Sequence, residues 1–257
     1  MTEPSSAAAK KKIALPPDAQ LDLLVHDPVP EVLIAVAADP RLTEDLALAF
    51  LQRRDLPREA LEEIVRNSSV ARLRKVRLAV VMHPHTPRHV SVPTIRHLYP
   101  FELMQIALLP AVAADVKRAA EEVLIGRLAT ITSGERFTLA KQSSGRVAAA
   151  LLLDKEERTM QAALANPQMT EIYIVKALRA ETGTELLAPA VARHQKWSYR
   201  NDVKAALLGN RHTPFARVVQ IASELPLSAL RDALHHARLA PNVKSYLHSV
   251  LEKRRGG

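Results

Sequence analysis

The sequence contains no cysteine, and this absence excludes several classes of chemistry. Disulfides, zinc sites with thiolate ligands, iron–sulfur clusters held by cysteine and a cysteine nucleophile all require that residue. A chain without cysteine also fits a reducing compartment. We therefore expect a cytoplasmic protein whose function depends on none of these groups.

Glycine and aromatic residues are scarce: the 257 residues include 7 glycines, and aromatic residues make up 4%. β-Sheets favour aromatic and β-branched side chains, and their tight turns favour glycine. The 17 prolines suit short turns between helices, because proline starts a helix well and cannot continue one. The composition therefore predicts an all-α protein.

Long apolar runs are also missing. The longest candidates, such as residues 147–153, fall well short of the roughly 20 residues that a helix needs to cross a bilayer. Residues 1–12 place three lysines after a stretch of small residues and have no apolar core of the kind found in secretory signals. We expect no membrane partner, and we predict that residues 1–16 form a disordered basic tail.

Five short segments with similar chemistry recur along the chain. An example is Asn166-Pro167-Gln168-Met169-Thr170, in which Asn ends one helix, Pro prevents its continuation and Thr caps the next. The segments begin at Asp39, His83, Gly126, Asn166 and Asn210, so their spacings are 44, 43, 40 and 44 residues. Such regular spacing predicts repeats of about 43 residues.

Each repeat is predicted to contain three helices, for example residues 74–82, 88–97 and 101–109 in the second repeat. The third helices of the middle repeats are apolar nearly all round, which is typical of a helix enclosed by neighbours. We predict one α-solenoid domain over residues 17–255. Its repeats span residues 27–69, 70–112, 113–154, 155–198 and 199–241, and a capping helix spans 243–255.

This pattern resembles the armadillo/HEAT-type helical repeat proteins of bacteria, over about residues 17–255. The Asn-Pro-x-x-Thr turn at residues 166–170 is also similar to turns of the leucine-rich-repeat-variant family. The resemblance implies a right-handed α-solenoid that serves as a scaffold and binds a protein or peptide on its surface. These motifs specify architecture and no activity. The alternative is an irregular all-α domain whose spacing is accidental.

Charge is unevenly distributed along the chain, whose net charge is +9. Residues 13–69 carry 5 basic and 11 acidic side chains, whereas residues 199–257 carry 10 and 4. A groove that tracks a phosphate backbone would be basic throughout, so this pattern argues against non-specific duplex binding. Oppositely charged ends also predict weak head-to-tail self-association.

Two groups of cations are candidate binding residues. The first group lies near the ends of the predicted second helices and comprises Arg53, Arg96, Lys141 and Arg179. Stacked repeats would align them into a ladder for an acidic peptide or a phosphate backbone. Alternatively, they complement helix dipoles. The second group comprises Arg72, Arg74, Lys75 and Arg77, which form either an anion-binding patch or a solvated helix face.

Trp197 and Tyr199 form a third candidate, because they are predicted to lie in a loop and are residue types that anchor protein interfaces. The alternative is that the indole fills a gap between repeats. His83, His85 and His89 are close in sequence but lack the further ligands that zinc requires, so we predict neither a metal site nor a cofactor.

The sequence contains no Gly-rich phosphate loop, no His-Glu-x-x-His and no Gly-x-Ser-x-Gly. We therefore predict a non-enzymatic interaction module with a protein or peptide partner, which the basic candidates suggest is acidic. The alternative is a nucleic-acid-binding HEAT-like protein, such as a DNA-repair glycosylase. Its support is a pI of about 10 and the basic cluster around Arg74.

Overall fold

The computed structural model of the chain describes residues 15–180, 184–236 and 239–254. These residues form 17 α-helices and no strands, which confirms the all-α prediction. Most of the predicted tail, residues 1–14, lies outside the described residues. The chain divides into two compact units, Met1–Val123 and Leu124–Gly257.

In the first unit, helices that are two positions apart in the chain order pack on each other. α2 contacts α4, and α5 contacts both α3 and α7. The helices of this unit are α1 (Leu21–Leu24), α2 (Pro30–Ala38), α3 (Glu44–Leu51), α4 (Arg58–Arg66), α5 (Arg74–Met82), α6 (Arg88–Ile95) and α7 (Pro100–Leu108). The boundary between the units falls within α8 (Ala114–Arg127). This alternating pattern is compatible with an α-solenoid.

The second unit packs in the same alternating way. Its helices are α9 (Ser133–Gln142), α10 (Gly145–Leu151), α11 (Glu157–Leu164), α12 (Glu171–Arg179), α13 (Leu187–Arg193), α14 (Asn201–Gly209), α15 (Phe215–Glu224), α16 (Leu227–His236) and α17 (Pro241–Lys253). α10 contacts α12, α12 contacts α14, and α14 contacts α16.

Several helix ends lie where the sequence predicted them, but Thr170, at the N-cap of α12, makes no side-chain capping hydrogen bond. α5, α12 and α15 have the predicted bounds. The predicted stop at Gly126 is wrong, because α8 continues to Arg127. The segment that follows Gly126 contains no proline, so nothing there prevents another helical residue. The next helix, α9, starts at a capping box in which Thr132 and Glu135 satisfy each other's backbone N–H groups.

The helices of the second unit recur at a constant offset from those of the first. α5 begins at Arg74 and α14 at Asn201, which is 127 positions further along the chain. The same offset pairs α1 with α10, α2 with α11 and so on, up to α8 with α17. The ends of paired helices differ from this offset by at most three residues. Residues 21–127 and 148–254 then align without a gap and share 23 identical residues in 107. The chain therefore contains two copies of one eight-helix module.

One type of turn recurs in both copies. A polar side chain just past a helix accepts a hydrogen bond from the backbone N–H two residues later, at 2.7–3.2 Å. The accepting residues are Asp27, Asp39, Asn67 and His83 in the first copy and Asp154, Asn166, His194 and Asn210 in the second. Each pair is 127 positions apart. Four of these turns are segments that the sequence predicted as repeat boundaries.

The turn side chains also tie neighbouring helices together. The amide nitrogen of Asn67 donates to the carbonyl oxygens of Ala37 and Asp39, at 3.0 and 2.8 Å. Asn166 donates in the same way to Ala140 and Ser143. These bonds satisfy carbonyl groups at the end of an earlier helix that have no partner within that helix. The turns thereby fix how successive helices pack.

Candidate functional site

A groove of about 1260 Å³ lies in the first unit, formed by α3, α5, α7 and the turns that follow them. Its sides are helix faces. Lys75 and Ala79, and likewise Leu78 and Met82, are four residues apart on α5 and so lie on one face. The same spacing relates Phe101 and Gln105 of α7 to Leu109, the C-cap residue of that helix. The opposite face of α5 is fixed in the core by Val76 and Val80, both 1% exposed.

Apolar side chains form much of the groove surface. Phe101 is 39% exposed, and Leu78, Met82 and Leu109 are half-buried. The apolar pattern of residues 101–109 predicted a helix enclosed by its neighbours. The structure instead leaves one face of α7 open to the groove, where Gln105 is exposed. The polar Gln105 among the apolar residues was the available sign of this open face.

An ion pair joins the two main helices of the groove. The Nε of Arg74 on α5 donates to Oε1 of Glu102 on α7 at 2.5 Å. The other carboxylate oxygen of Glu102 accepts from the backbone N–H of Tyr99 at 2.8 Å and so caps α7. The Arg74 guanidinium also lies 4.4 Å from the centroid of the Tyr99 ring. Although Glu102 is buried, both of its carboxylate oxygens therefore have a hydrogen-bond donor.

At one end of the groove, Arg53 is held by three other groups. Its Nη1 donates to the carbonyl oxygens of Val25 and Asp27, at 3.0 and 2.8 Å. Its Nε and Nη2 donate to the Asp55 carboxylate, at 3.0 and 2.7 Å. The hydrogen bond from Arg53 lowers the pKa of Asp55 to about 2. Arg53 thus joins the end of α3 to the turn after α1.

His83 lies beside Arg53 and is buried. Its Nε2 lies 2.6 Å from the carbonyl oxygen of Arg53, and its Nδ1 accepts from the backbone N–H of His85 at 3.2 Å. These two contacts require the neutral tautomer that carries its proton on Nε2. Burial lowers the pKa of His83, which favours the same neutral form. His83 therefore adds no positive charge to the groove at neutral pH.

The groove retains two cations without an ion-pair partner among the described residues, Arg54 and Lys75. Both are exposed. Arg53 and Arg74 line the groove as well, but Asp55 and Glu102 pair with them. Glu44 is the one carboxylate in the lining that makes no ion pair within the described part of the chain. The lining therefore carries four cations and two carboxylates, and it attracts negative charge.

The structure separates the predicted basic cluster into two places. Arg74 and Lys75 line the groove together with Arg53. Arg72 and Arg77 line a different cavity of about 250 Å³, next to Pro93 and Thr94 of α6. The Nε of Arg77 donates to the carbonyl oxygen of Ala71 at 2.9 Å, which closes the turn before α5.

The predicted column of cations spans both units. Arg53 and Arg96 belong to the first unit, and Arg96 is exposed at the C-cap of α6, outside the groove lining. Lys141 and Arg179 belong to the second unit and are exposed in the last turns of α9 and α12. At these helix ends a positive charge complements the helix dipole.

Trp197 and Tyr199 have very different environments. The indole of Trp197 is 2% exposed, and its Nε1 donates to the carbonyl oxygen of Leu164 at 3.0 Å. Lys196 lies over its ring at 4.3 Å. Tyr199, by contrast, is 75% exposed. Of the two, only Tyr199 presents an aromatic surface to solvent.

Among the described residues, no group of three or more His, Asp or Glu side chains is arranged to hold a metal ion. In the same part of the chain, every helix is too short or too polar to cross a membrane. No protein-family model, curated protein or solved structure matches the chain.

Proposed function

We propose that the protein is a non-enzymatic interaction module of the armadillo/HEAT type and that it binds a protein or peptide partner in the groove of the first unit. The groove itself is the main support. Its volume of about 1260 Å³ exceeds the roughly 300–1,000 Å³ of small-molecule pockets. The lining contains Phe101, Met82 and three arginines, which are residue types enriched at protein interfaces. The proposed compartment is the cytoplasm, and its support is the absence of cysteine.

His83 and Glu102, the two buried titratable groups of the groove, favour binding over catalysis. Both ring nitrogens of His83 are engaged with backbone groups, and both oxygens of Glu102 accept hydrogen bonds. A general acid or base must be able to exchange a proton with a substrate. These two side chains instead hold the helices in place.

The alternative function is nucleic-acid binding, and the distribution of charge supports it for the second unit only. Residues 1–123 carry 16 basic and 16 acidic side chains, whereas residues 124–257 carry 20 and 11. The excess positive charge that would attract a phosphate backbone therefore lies outside the unit that contains the groove.

Site-specific photo-crosslinking in the native cells tests the proposed function. A photoreactive amino acid replaces Leu78 in the groove or, as a control, Ala205, its counterpart in α14 of the second copy. Both positions are half-buried. We expect a light-dependent polypeptide adduct at position 78 that position 205 does not give. The proposal fails if no adduct forms at position 78, or if nuclease removes the adduct.

A further inference from the structure

We infer that the groove binds one acidic amphipathic helix, apolar on one face and rich in carboxylates beside it, and that the chain has one such site, in its first copy. This inference rests on the proposed function and adds the chemistry of the partner.

The backbone of the partner requires a helical conformation. The groove is formed by helices, whose central N–H and C=O groups bond within each helix, and the described residues contain no strand edge. An extended peptide could bond to the exposed amides of Gln52 and Gln105, but most of its backbone groups would face apolar side chains without a partner, which is costly. A helix satisfies those groups internally. It presents residues i, i+3, i+4 and i+7 to the groove, as in other helix-in-groove complexes.

The partner's apolar face has a matching surface in the groove. Leu78 and Met82 lie about one turn apart on α5, and Phe101 on α7 lies about two turns before Leu109, the C-cap residue of that helix. All four are partly exposed, so a partner that covers them removes apolar surface from water.

The charges of the groove select an acidic helix. Arg54 and Lys75 have no ion-pair partner in the described part of the chain, and the side chain of Arg74 is 63% exposed although Glu102 neutralises it. A basic helix would find only the Glu44 carboxylate unpaired. The chain's own residues 1–14 also fit poorly, because they contain Lys10, Lys11 and Lys12 and one acidic residue.

The second copy lacks both the cations and the large apolar side chains of the groove at the positions 127 residues further along the chain. Glu181, Asn201 and Asp202 replace the cations Arg54, Arg74 and Lys75 in the sequence. Ala205, Gly209 and Ser228 replace the apolar residues Leu78, Met82 and Phe101. The helices occupy corresponding positions to within three residues, and the turn hydrogen bonds recur, so the two copies share their architecture but not the side chains of the groove. One partner per chain follows.

Two synthetic 14-residue peptides serve as probes. Both carry leucine at the same i, i+3, i+4 and i+7 positions, and their remaining residues are mainly glutamate in one and lysine in the other. Fluorescence anisotropy with the full-length protein measures affinity and stoichiometry. We expect the Leu/Glu peptide to bind one site per chain, about ten-fold or more tightly than the Leu/Lys peptide. Two exposed ion pairs at up to about 1 kcal/mol each give a factor of this size.

Two double variants identify the site. Arg54→Glu with Lys75→Asp introduces the residues of the second copy, and we expect it to weaken binding of the Leu/Glu peptide about ten-fold. Arg58→Glu with Arg118→Glu makes the same change in net charge at exposed positions of α4 and α8 outside the groove lining. This control should bind as the wild type does. Circular dichroism melting establishes that both variants fold.

Several results would overturn the inference: equal or tighter binding of the Leu/Lys peptide, two sites per chain, or equal losses in the two double variants. A single-stranded oligonucleotide that competes for the groove would also overturn it in favour of nucleic acid. If position 78 crosslinks to a polypeptide but the Leu/Glu peptide is not preferred, the inferred chemistry is wrong and the proposed function stands. If position 78 gives no polypeptide adduct, the proposed function is wrong as well.

Discussion

Asparagine and histidine exchange places between the two copies at the turn positions. Asn67 of the first copy corresponds to His194 of the second, and His83 corresponds to Asn210. Both side chains combine a hydrogen-bond acceptor with a donor on a separate atom, so each can serve the turn and reach a second backbone group. Asn210 donates to Leu178 at 2.7 Å, as His83 does to Arg53.

Asp39 occupies one of these turn positions, but an ionised aspartate has no hydrogen-bond donor. The neighbouring Arg41 provides the donor that reaches the second backbone group. Asp39 accepts from the backbone N–H of Arg41, as Asn166 accepts from that of Gln168. The Arg41 guanidinium then donates to the carbonyl oxygen of Pro16. Pro16 corresponds to Ser143 in the second copy, whose carbonyl oxygen accepts from the side chain of Asn166. The hydrogen bond from Arg41 lowers the pKa of Asp39, which keeps this pair ionised.

Trp197 is buried because its indole N–H also satisfies a backbone carbonyl group at the end of an earlier helix. In the first copy, Asn67 donates to the carbonyl oxygen of Ala37. In the second copy, the corresponding carbonyl belongs to Leu164, and the indole N–H of Trp197 donates to it. Trp197 thereby supplies the bond that Asn67 makes in the first copy.

Trp197→Phe should destabilise the protein by about 1–3 kcal/mol, because it leaves the buried carbonyl oxygen of Leu164 without this donor while an aromatic ring is retained. Urea denaturation measures the difference. Tyr199→Phe is the control, since Tyr199 is exposed and its change should stay within about 0.5 kcal/mol. Equal effects of the two substitutions would contradict the role assigned to the indole N–H.

His83→Asn should reduce the loss of stability in mild acid. Burial lowers the pKa of His83 in the folded chain, whereas the unfolded chain titrates near 6.5. As the pH falls below about 6.5, the unfolded state takes up a proton that the folded state resists, so stability decreases until the pH reaches the folded pKa. Asparagine does not titrate and already occupies the corresponding position 210.

Unfolding midpoints measured between pH 8 and pH 5 test this prediction. At pH 8 the His83→Asn variant should be close to the wild type, and its stability should depend less on pH below 6.5. His194→Asn should act in the same direction, because burial and then Lys196 lower the pKa of His194. An unchanged pH dependence in the His83→Asn variant would show that protonation of His83 is not resisted by the fold.

At the scale of helices, the sequence predicted much of the fold because its helix ends carry local signals. Pro, Thr, Asn and Asp mark most stops and starts, and these residues act within a few positions of themselves. The groove could not be predicted in this way, because it depends on which face of α7 its neighbours leave open. Arg74 and Lys75 were identified as candidates, but Phe101, which lines the same groove, was assigned to a helix enclosed by its neighbours.

The longer repeat was also present in the predicted segments. The turn that begins at Asp39 and the turn that begins at Asn166 are 127 positions apart, as are those at His83 and Asn210. The period of about 43 residues relates neighbouring segments, and their spacings vary between 40 and 44 residues. Only the helix bounds reveal that the offset stays constant across eight helices.

Gly145, the first residue of α10, permits a close helix contact. A Cβ atom at this position would overlap the carbonyl oxygen of Gln168, in the turn after α11, and would lie 3.3 Å from the ring of Tyr173. The obstacle is backbone, which cannot move as freely as a side chain. The glycine therefore sets the distance between α10 and that turn.

Gly145→Ala should destabilise the protein by about 1–3 kcal/mol through this overlap. Gly126→Ala is the matched control, because a Cβ at Gly126 has nothing within 4 Å and the residue lies inside α8. Alanine there should stabilise the protein by about 0.5–1 kcal/mol. Thermal or urea unfolding of the two variants should thus give shifts of opposite sign, and a shared sign would refute the packing argument.

At the scale of the whole molecule, the net positive charge and the groove belong to different units of the duplicated chain. The whole net charge of +9 belongs to residues 124–257, because the basic and acidic side chains of residues 1–123 are equal in number. The groove nevertheless lies in the neutral first unit. Its preference for an anionic partner therefore comes from the local arrangement of Arg54 and Lys75, and such short-range pairs are less sensitive to salt than attraction by net charge.

The contacts of the chain cluster within each unit, so a local defect should remain within the unit that contains it. Amide hydrogen exchange reports such sub-global opening. In the Gly145→Ala variant, we expect faster exchange in the helices α10 to α17 and unchanged exchange in α2 to α7. Gly126→Ala should not accelerate exchange in either unit. If Gly145→Ala accelerates exchange equally in both units, the two copies unfold as one cooperative body, and a substitution in the second copy would then weaken the groove of the first.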